Sequence, residues 1–237
     1  MRAKEIRAMA WESLSGKWGK SAIITAIYVV VSFLIGMILA VIPVIGQIIS
    51  IIISPVLSFG ILVSFMKLSR NEDATYFGFL KDGFDLFGKV WGVTLQTLLR
   101  VLPAIILFAI SGSMQIISVF ARNTGASFSF GPLALLLNGA ALVWMVWKTY
   151  SLALTLFILN DEPTLKSSEI VKKSEALMKG NKCRLFCLEL SFIGWIILVS
   201  ITFGLALLWV FPYMQIATVK FYEEIAGTQT NLDDDLS

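Results

Sequence analysis

An all-α polytopic membrane protein is the fold class this sequence predicts, and three observations carry it. Of its 237 residues, 57% are hydrophobic and only 15% charged, with a mean hydropathy of +0.82. A soluble domain carries about 25% charged residues, so lipid must solvate part of this apolar surface. Second, the apolar residues form long unbroken runs rather than alternating. In lipid the backbone must satisfy its own hydrogen bonds, and continuous runs do so as helices rather than barrel strands. Third, the basic residues gather between alternate runs.

The elements follow in order. In residues 1–20, Ala3, Ile6, Ala10 and Leu14 recur at helical spacing among Arg2, Lys4, Arg7, Lys17 and Lys20. This predicts a helix over about 3–15 lying at the membrane surface and stopped near Gly16. The run that follows is longer than a secretory signal core of about 7–15 residues, so it reads as a retained span over 21–42. Pro43-Val44-Ile45-Gly46 turns the chain into a second span over 47–66, where Pro55 introduces a kink.

Residues 67–89 are polar with interspersed aromatics and predict a second interfacial helix over about 74–87, its end loosened by Gly83 and Gly88. A third span covers 90–121, a Ser/Gly/Asn-rich loop 122–130, and a fourth span 131–159. Asn160-Asp161-Glu162-Pro163 has the composition of a helix start. A third interfacial helix is expected over 163–179, with Glu169–Lys173 and Glu175–Lys179 as i,i+4 pairs, ending at Gly180. As one straight helix, 185–219 would be about 52 Å long, too long for a bilayer. Gly204 divides it into spans over 185–201 and 205–219. Residues 226–237, with Asp233, Asp234 and Asp235, read as a disordered acidic tail.

Sixteen of the nineteen Lys and Arg residues fall in 1–20, 67–89, 160–184 and at Lys220, and one (Arg122) falls in the turns between. The positive-inside rule then places both termini in the cytoplasm of a bacterial inner-membrane protein, which six crossings also require. Surface helix, glycine-plus-basic junction, span, turn and return span recur three times. The junctions are Gly16-Lys17-Trp18-Gly19-Lys20, Gly88-Lys89-Val90-Trp91 and Gly180-Asn181-Lys182-Cys183-Arg184. This predicts an internal repeat, a common device in transporters.

The chain also resembles a family of uncharacterised bacterial membrane proteins, domain of unknown function 975. The residues that carry the resemblance are Ala176-Leu177-Met178-Lys179-Gly180-Asn181-Lys182, Leu185-Phe186, Leu190-Ser191-Phe192-Ile193-Gly194-Trp195, Leu208-Trp209, Pro212-Tyr213 and Phe221-Tyr222. Gly16-Lys17-Trp18-Gly19-Lys20 looks like the family's opening. The resemblance is specific over about 160–225 and loose between 45 and 130. It implies a membrane topology and no activity.

Arg100, Lys148 and Glu189 are the ionisable residues within the expected spans. Each costs about 2.5–3.5 kcal/mol at a helix centre, which makes it a functional candidate. Counted from the cytoplasmic ends at about 1.5 Å per residue, they lie roughly 16, 18 and 7 Å deep. One reading is a cytoplasm-facing basic cavity for an anionic lipid headgroup or phosphate, with Glu189 closing an ion pair. The other is that both cations snorkel to the headgroups while Glu189 pairs with Arg184 or Arg100. Trp11, Trp18, Trp91, Trp195 and Trp209 read as interfacial anchors, and Trp144 and Trp147 as packing within the fourth span. Gly112 and Gly139 read as packing positions.

There is no histidine, and Cys183 and Cys187 are the only cysteines. Two thiols make a poor metal site. No catalytic residues, metal or cofactor are expected, and the protein reads as a non-enzyme. Nucleic acid is not an expected partner, because the basic residues serve topology. Expected partners are the bilayer, anionic lipids, and a protein partner or a second copy of the chain. Two functions remain open: a lipid- or amphiphile-handling transporter or its binding subunit, and a non-catalytic scaffold, accessory or immunity protein.

Overall fold

The computed structural model describes residues 2–42, 44–123 and 131–235. Among these, eleven helices follow in chain order: α1 (Ala3–Leu14), α2 (Trp18–Ala40), α3 (Ile45–Ser69), α4 (Gly78–Asp85), α5 (Phe87–Asn123), α6 (Gly131–Leu152), α7 (Thr155–Asp161), α8 (Ser167–Leu177), α9 (Lys182–Leu190), α10 (Ile193–Ile201) and α11 (Leu207–Asp235). Five segments are long and apolar enough to cross a membrane, as in an integral membrane protein: Trp18–Ala40, Ile45–Ser69, Phe87–Ala121, Gly131–Asp161 and Lys182–Ile201. Their large apolar side chains are widely exposed, Phe33 at 65% and Leu136 at 72% among them. Such surface requires lipid.

The sixth expected span, 205–219, forms the first part of α11, which is not among those five. Its first turn is exposed, but Val210, Tyr213, Ile216, Ala217 and Val219 are buried. A helix that faces protein need not be apolar all round, and so α11 tolerates Gln215 and Thr218. The α11 backbone stays helical as far as Asp235, through most of the stretch expected as an acidic tail. Residues 236–237 and most of the expected 122–130 loop lie outside the described residues.

Local signals account for the breaks. Gly16 and Gly180 stand at φ +76° and +84° where α1 and α8 stop. The α10 terminus closes with Gly204 N–H donating to Val199 O and Phe203 N–H to Ser200 O. In that motif the left-handed residue is normally glycine, yet here Phe203 (φ 51°) takes it just before Gly204. The expected span 185–201 is two helices, because α9 ends at Leu190 before α10 begins.

Two expectations near Pro163 are corrected. Asn160 and Asp161 end α7 rather than starting the next helix, and α8 begins only at Ser167. The residue before a proline is pushed out of helical geometry, and Glu162 accordingly leaves the helix at φ −128°, ψ 66°. The expected i,i+4 pairs are replaced. The Glu169 carboxylate accepts from the Lys166 backbone N–H at 3.1 Å, and Lys173 pairs with Glu162.

Packing is closest where glycines remove the side chain. A Cβ on Gly60 of α3 would lie 1.8 Å from the Phe79 carbonyl oxygen of α4, and one on Gly83 would lie 2.5 Å from the Val56 carbonyl oxygen. Gly83 therefore seats α4 against α3 rather than loosening its end. Among the described residues nothing lies within 4 Å of a Cβ on Gly112 or Gly139, so neither makes a close helix contact there.

The polar segments meet at one end of the helices. Arg70, after α3, binds Asp161 of α7 through two hydrogen bonds of 2.8 Å and Glu223 of α11 at 3.1 Å. The Tyr222 hydroxyl donates to the same Asp161 at 3.1 Å. Lys17 donates to the Leu68 carbonyl at 2.8 Å, and Arg184 at the start of α9 binds Glu224 at 2.7 Å. The last contact brings α11 back to the end from which α9 departs.

Candidate functional site

Helix α6 presents Lys148 and Ser151 one turn apart, on one face. Helix α8 docks there through Ser174, whose buried Oγ donates to the Ser151 carbonyl at 3.0 Å. That contact sets the rotation of α8 and aims the next residue, Glu175, at the α5–α6 seam. Glu175 Oε1 lies 3.1 Å from Lys148 Nζ and 3.5 Å from Arg100 Nε. One carboxylate oxygen thus serves two cations from two other helices. Arg100 Nη1 is buried and has no hydrogen-bond partner among the described residues.

The left-handed Gly180 then turns α8 into α9 and brings Lys179 and Lys182 to the same rim. A cavity of about 350 Å³ results, lined by Trp147, Lys148, Ser151, Glu175, Lys179, Gly180, Lys182 and Cys183. Lys182 Nζ stands 3.6 Å from the centre of the Trp147 ring, and Lys148 Nζ 5.9 Å from that of Trp144. Trp147 is 62% exposed and Trp144 45%. Both tryptophans, read as internal packing, therefore accompany lysines at the surface. Three ammonium groups against one carboxylate leave the cavity positive. It can hold an anion by charge and by N–H donation, with the indole as an apolar wall.

Of the expected site residues, Arg100 and Lys148 come together and Glu189 does not join them. Glu189 accepts from the Tyr150 hydroxyl. It lines two other cavities, about 270 Å³ beside α6 and about 490 Å³ between α9, α10 and α11. The carboxylate of the basic site is Glu175, which was expected to pair with Lys179. One signal marked it, as the sole acid in residues 170–184 among six cations or thiols flanking Gly180. Cys183 and Cys187 are exposed and free. Among the described residues no group of three or more His, Cys, Asp or Glu is arranged to hold a metal ion.

The expected anchors separate into two places. The Trp91 indole donates to the Ile52 carbonyl at 3.0 Å, in the turn of α3 that Pro55 loosens, and so ties α5 to α3. Trp11, Trp18, Trp195 and Trp209 converge, with Val210 and Tyr213, around a separate cavity of about 390 Å³.

No curated protein and no solved structure matches this chain. A family model does, over residues 1–229, and its reach takes in the 45–130 stretch where the resemblance was loose. The apolar helices, the glycine-stopped junctions and this match together place the chain in the family described as protein of unknown function (DUF975), to which it belongs.

Proposed function

We propose that this protein binds the anionic headgroup of a lipid or amphiphile in the Lys148–Lys179–Lys182 cavity, as a transporter or as the binding subunit of one. The observation that carries this reading is the convergence of three lysines, from α6, the α8–α9 turn and the start of α9, on one cavity that holds a single carboxylate. A phosphate or sulfate has oxygens enough to engage all three, and such charge-assisted hydrogen bonds are about twice as strong as neutral ones. The chain acts without catalysis, on the bilayer rather than on nucleic acid.

The same reading places the chain in the bacterial cytoplasmic membrane with six crossings and both termini inside. The segregation of basic residues supports it. So do the Arg70–Asp161, Arg70–Glu223 and Arg184–Glu224 pairs, which gather three of the basic segments at one end. The thrice-repeated order of one short helix before a membrane hairpin supports the internal repeat.

A second reading has its own observation. Arg100 and Lys148 already share Glu175, so the trio also serves as a clamp between α5, α6 and α8 in a scaffold or accessory protein. Mass spectrometry of lipids retained after mild purification separates the two. Wild type is compared with Lys148→Ala/Lys182→Ala and with Arg100→Ala/Lys148→Ala. Enrichment of one anionic class in wild type, lost in both variants, supports the cavity. The same bulk lipid mixture in all three proteins overturns it and leaves the clamp.

A further inference from the structure

The second cavity is built almost wholly of aromatic rings from four helices: Trp11 of α1, Trp18 of α2, Trp195 of α10, and Trp209 and Tyr213 of α11, closed by Val210. The rings do not stack. Trp11 meets Trp18 at 4.7 Å between centroids with 60° between planes, and Tyr213 at 5.6 Å and 81°. Trp195 meets Tyr213 at 5.9 Å and 82°. Rings set at 59° to 82° to one another form the walls of an open box, and about 390 Å³ lies among them. A belt of tryptophans that only anchors a protein in headgroups needs no such convergence.

The faces of indole and phenol rings carry negative potential and attract a cation, most strongly one with little hydration to lose. A quaternary ammonium meets that description, since it offers no N–H and asks for no hydrogen-bond acceptor. The cations beside the box have partners of their own. Arg7 donates to the Ser191 carbonyl at 2.9 Å and lies 5.4 Å from the centre of the Phe192 ring, while Lys17 is turned to the Leu68 carbonyl. Arg7 Nε also stands 3.5 Å from the Tyr213 hydroxyl. That places a guanidinium at the edge of the box, where the phosphate of a zwitterionic headgroup would lie.

The geometry points to a binding site for a quaternary ammonium group in the Trp11–Trp18–Trp195–Trp209–Tyr213 box. The group belongs either to a small soluble cation or to the headgroup of a lipid. The site shares no residue with the lysine cavity and stands independently of the function proposed above.

The test uses the full-length protein in a non-ionic detergent, with intrinsic tryptophan fluorescence titrated by tetramethylammonium, by choline and by 3,3-dimethylbutan-1-ol, the neutral isostere of choline. Sodium chloride controls for ionic strength. A parallel arm compares phosphatidylcholine with phosphatidylglycerol nanodiscs. The expected result is saturable quenching by the quaternary ammoniums, at least tenfold weaker binding of the neutral isostere, and at least fivefold loss of affinity in Trp11→Leu and in Trp209→Leu. Both residues are about half exposed, so the variants keep their helical circular dichroism. Quenching by soluble choline identifies a soluble ligand, and quenching by phosphatidylcholine discs alone identifies a lipid headgroup; either supports the site. Equal binding of the neutral isostere, affinity unchanged in folded variants, or no saturable response to the soluble cations or the phosphatidylcholine discs overturns it.

Discussion

On the proposed function, Glu175 sits where an incoming anion would bind in the lysine cavity. Its Oε1 holds Lys148 at 3.1 Å and Arg100 at 3.5 Å, and an anionic headgroup must compete with it for the first of these. Glu175→Gln keeps the shape and removes the competing charge. Lipid mass spectrometry and titration of the purified protein with anionic lipid are expected to show several-fold tighter retention. Thermal stability is expected to fall by about 1–3 kcal/mol as two partly buried cations lose their partner. Retention that falls with stability would assign Glu175 to the clamp alone. A second contrast tests packing. Gly60→Ala drives a Cβ to 1.8 Å from the Phe79 carbonyl oxygen, so α4 must move off α3, at a cost of about 1–3 kcal/mol. Gly112→Ala meets nothing within 4 Å and is expected to stabilise its helix by about 0.5–1 kcal/mol. Thermal denaturation of both variants in the same detergent reads the difference.

Between elements, one multi-partner tie is made by Arg70. It joins the end of α3 to α7 and α11 in one network with Asp161, Glu223 and Tyr222. Hydrogen bonding to Asp161 holds the guanidinium above its ordinary pKa. Burial first, and then the neighbouring Asp161 charge, pushes the Tyr222 phenol above its usual value, which is about 10. The phenol must stay protonated to donate to Asp161. A pKa raised by folding means stability that is complete below about pH 10 and is lost as pH climbs through the higher folded value. Melting temperature followed between pH 8 and 12 is expected to drop more steeply in wild type than in Tyr222→Phe. Parallel curves would show that the phenol is not linked to folding. Arg70→Met is expected to cost about 1–2 kcal/mol at neutral pH, since the pairs are only partly buried.

Across the whole molecule, the arrangement is decided by where the polar segments meet. Arg184 and Glu224 touch, so the chain between them leaves one end of the bundle and comes back. Together with the two earlier hairpins, that return supports the proposed six crossings. Single cysteines placed at positions 124 and 167, in a background with Cys183 and Cys187 replaced, are expected to label from opposite sides of the membrane. Thr124 lies outside the described residues. Labelling of both from the same side would sink the six-crossing topology.

The long apolar helices and the stops at Gly16 and Gly180 were legible in the residue order because each depends on near neighbours. A run of apolar residues commits the backbone to helix in lipid wherever it lies, and Gly16 and Gly180 end helices through their own φ angles. The same holds for α1, whose expected stripe of Ile6, Ala10 and Leu14 is buried. The breaks at Leu190 and Leu152 and the delayed start of α8 were not legible, since they depend on how each short helix docks. Glu175 was assigned to Lys179 on its own helix and Glu189 to the cavity, because spacing along a chain says nothing about the rotation of one helix against another. Docking of Ser174 on Ser151 sets that rotation, turns Glu175 toward Arg100 and Lys148, and leaves Glu189 to Tyr150. The convergence of four tryptophans from α1, α2, α10 and α11 has the same origin. Partners far apart in sequence are chosen by helix crossing and rotation, which become definite only when the helices pack.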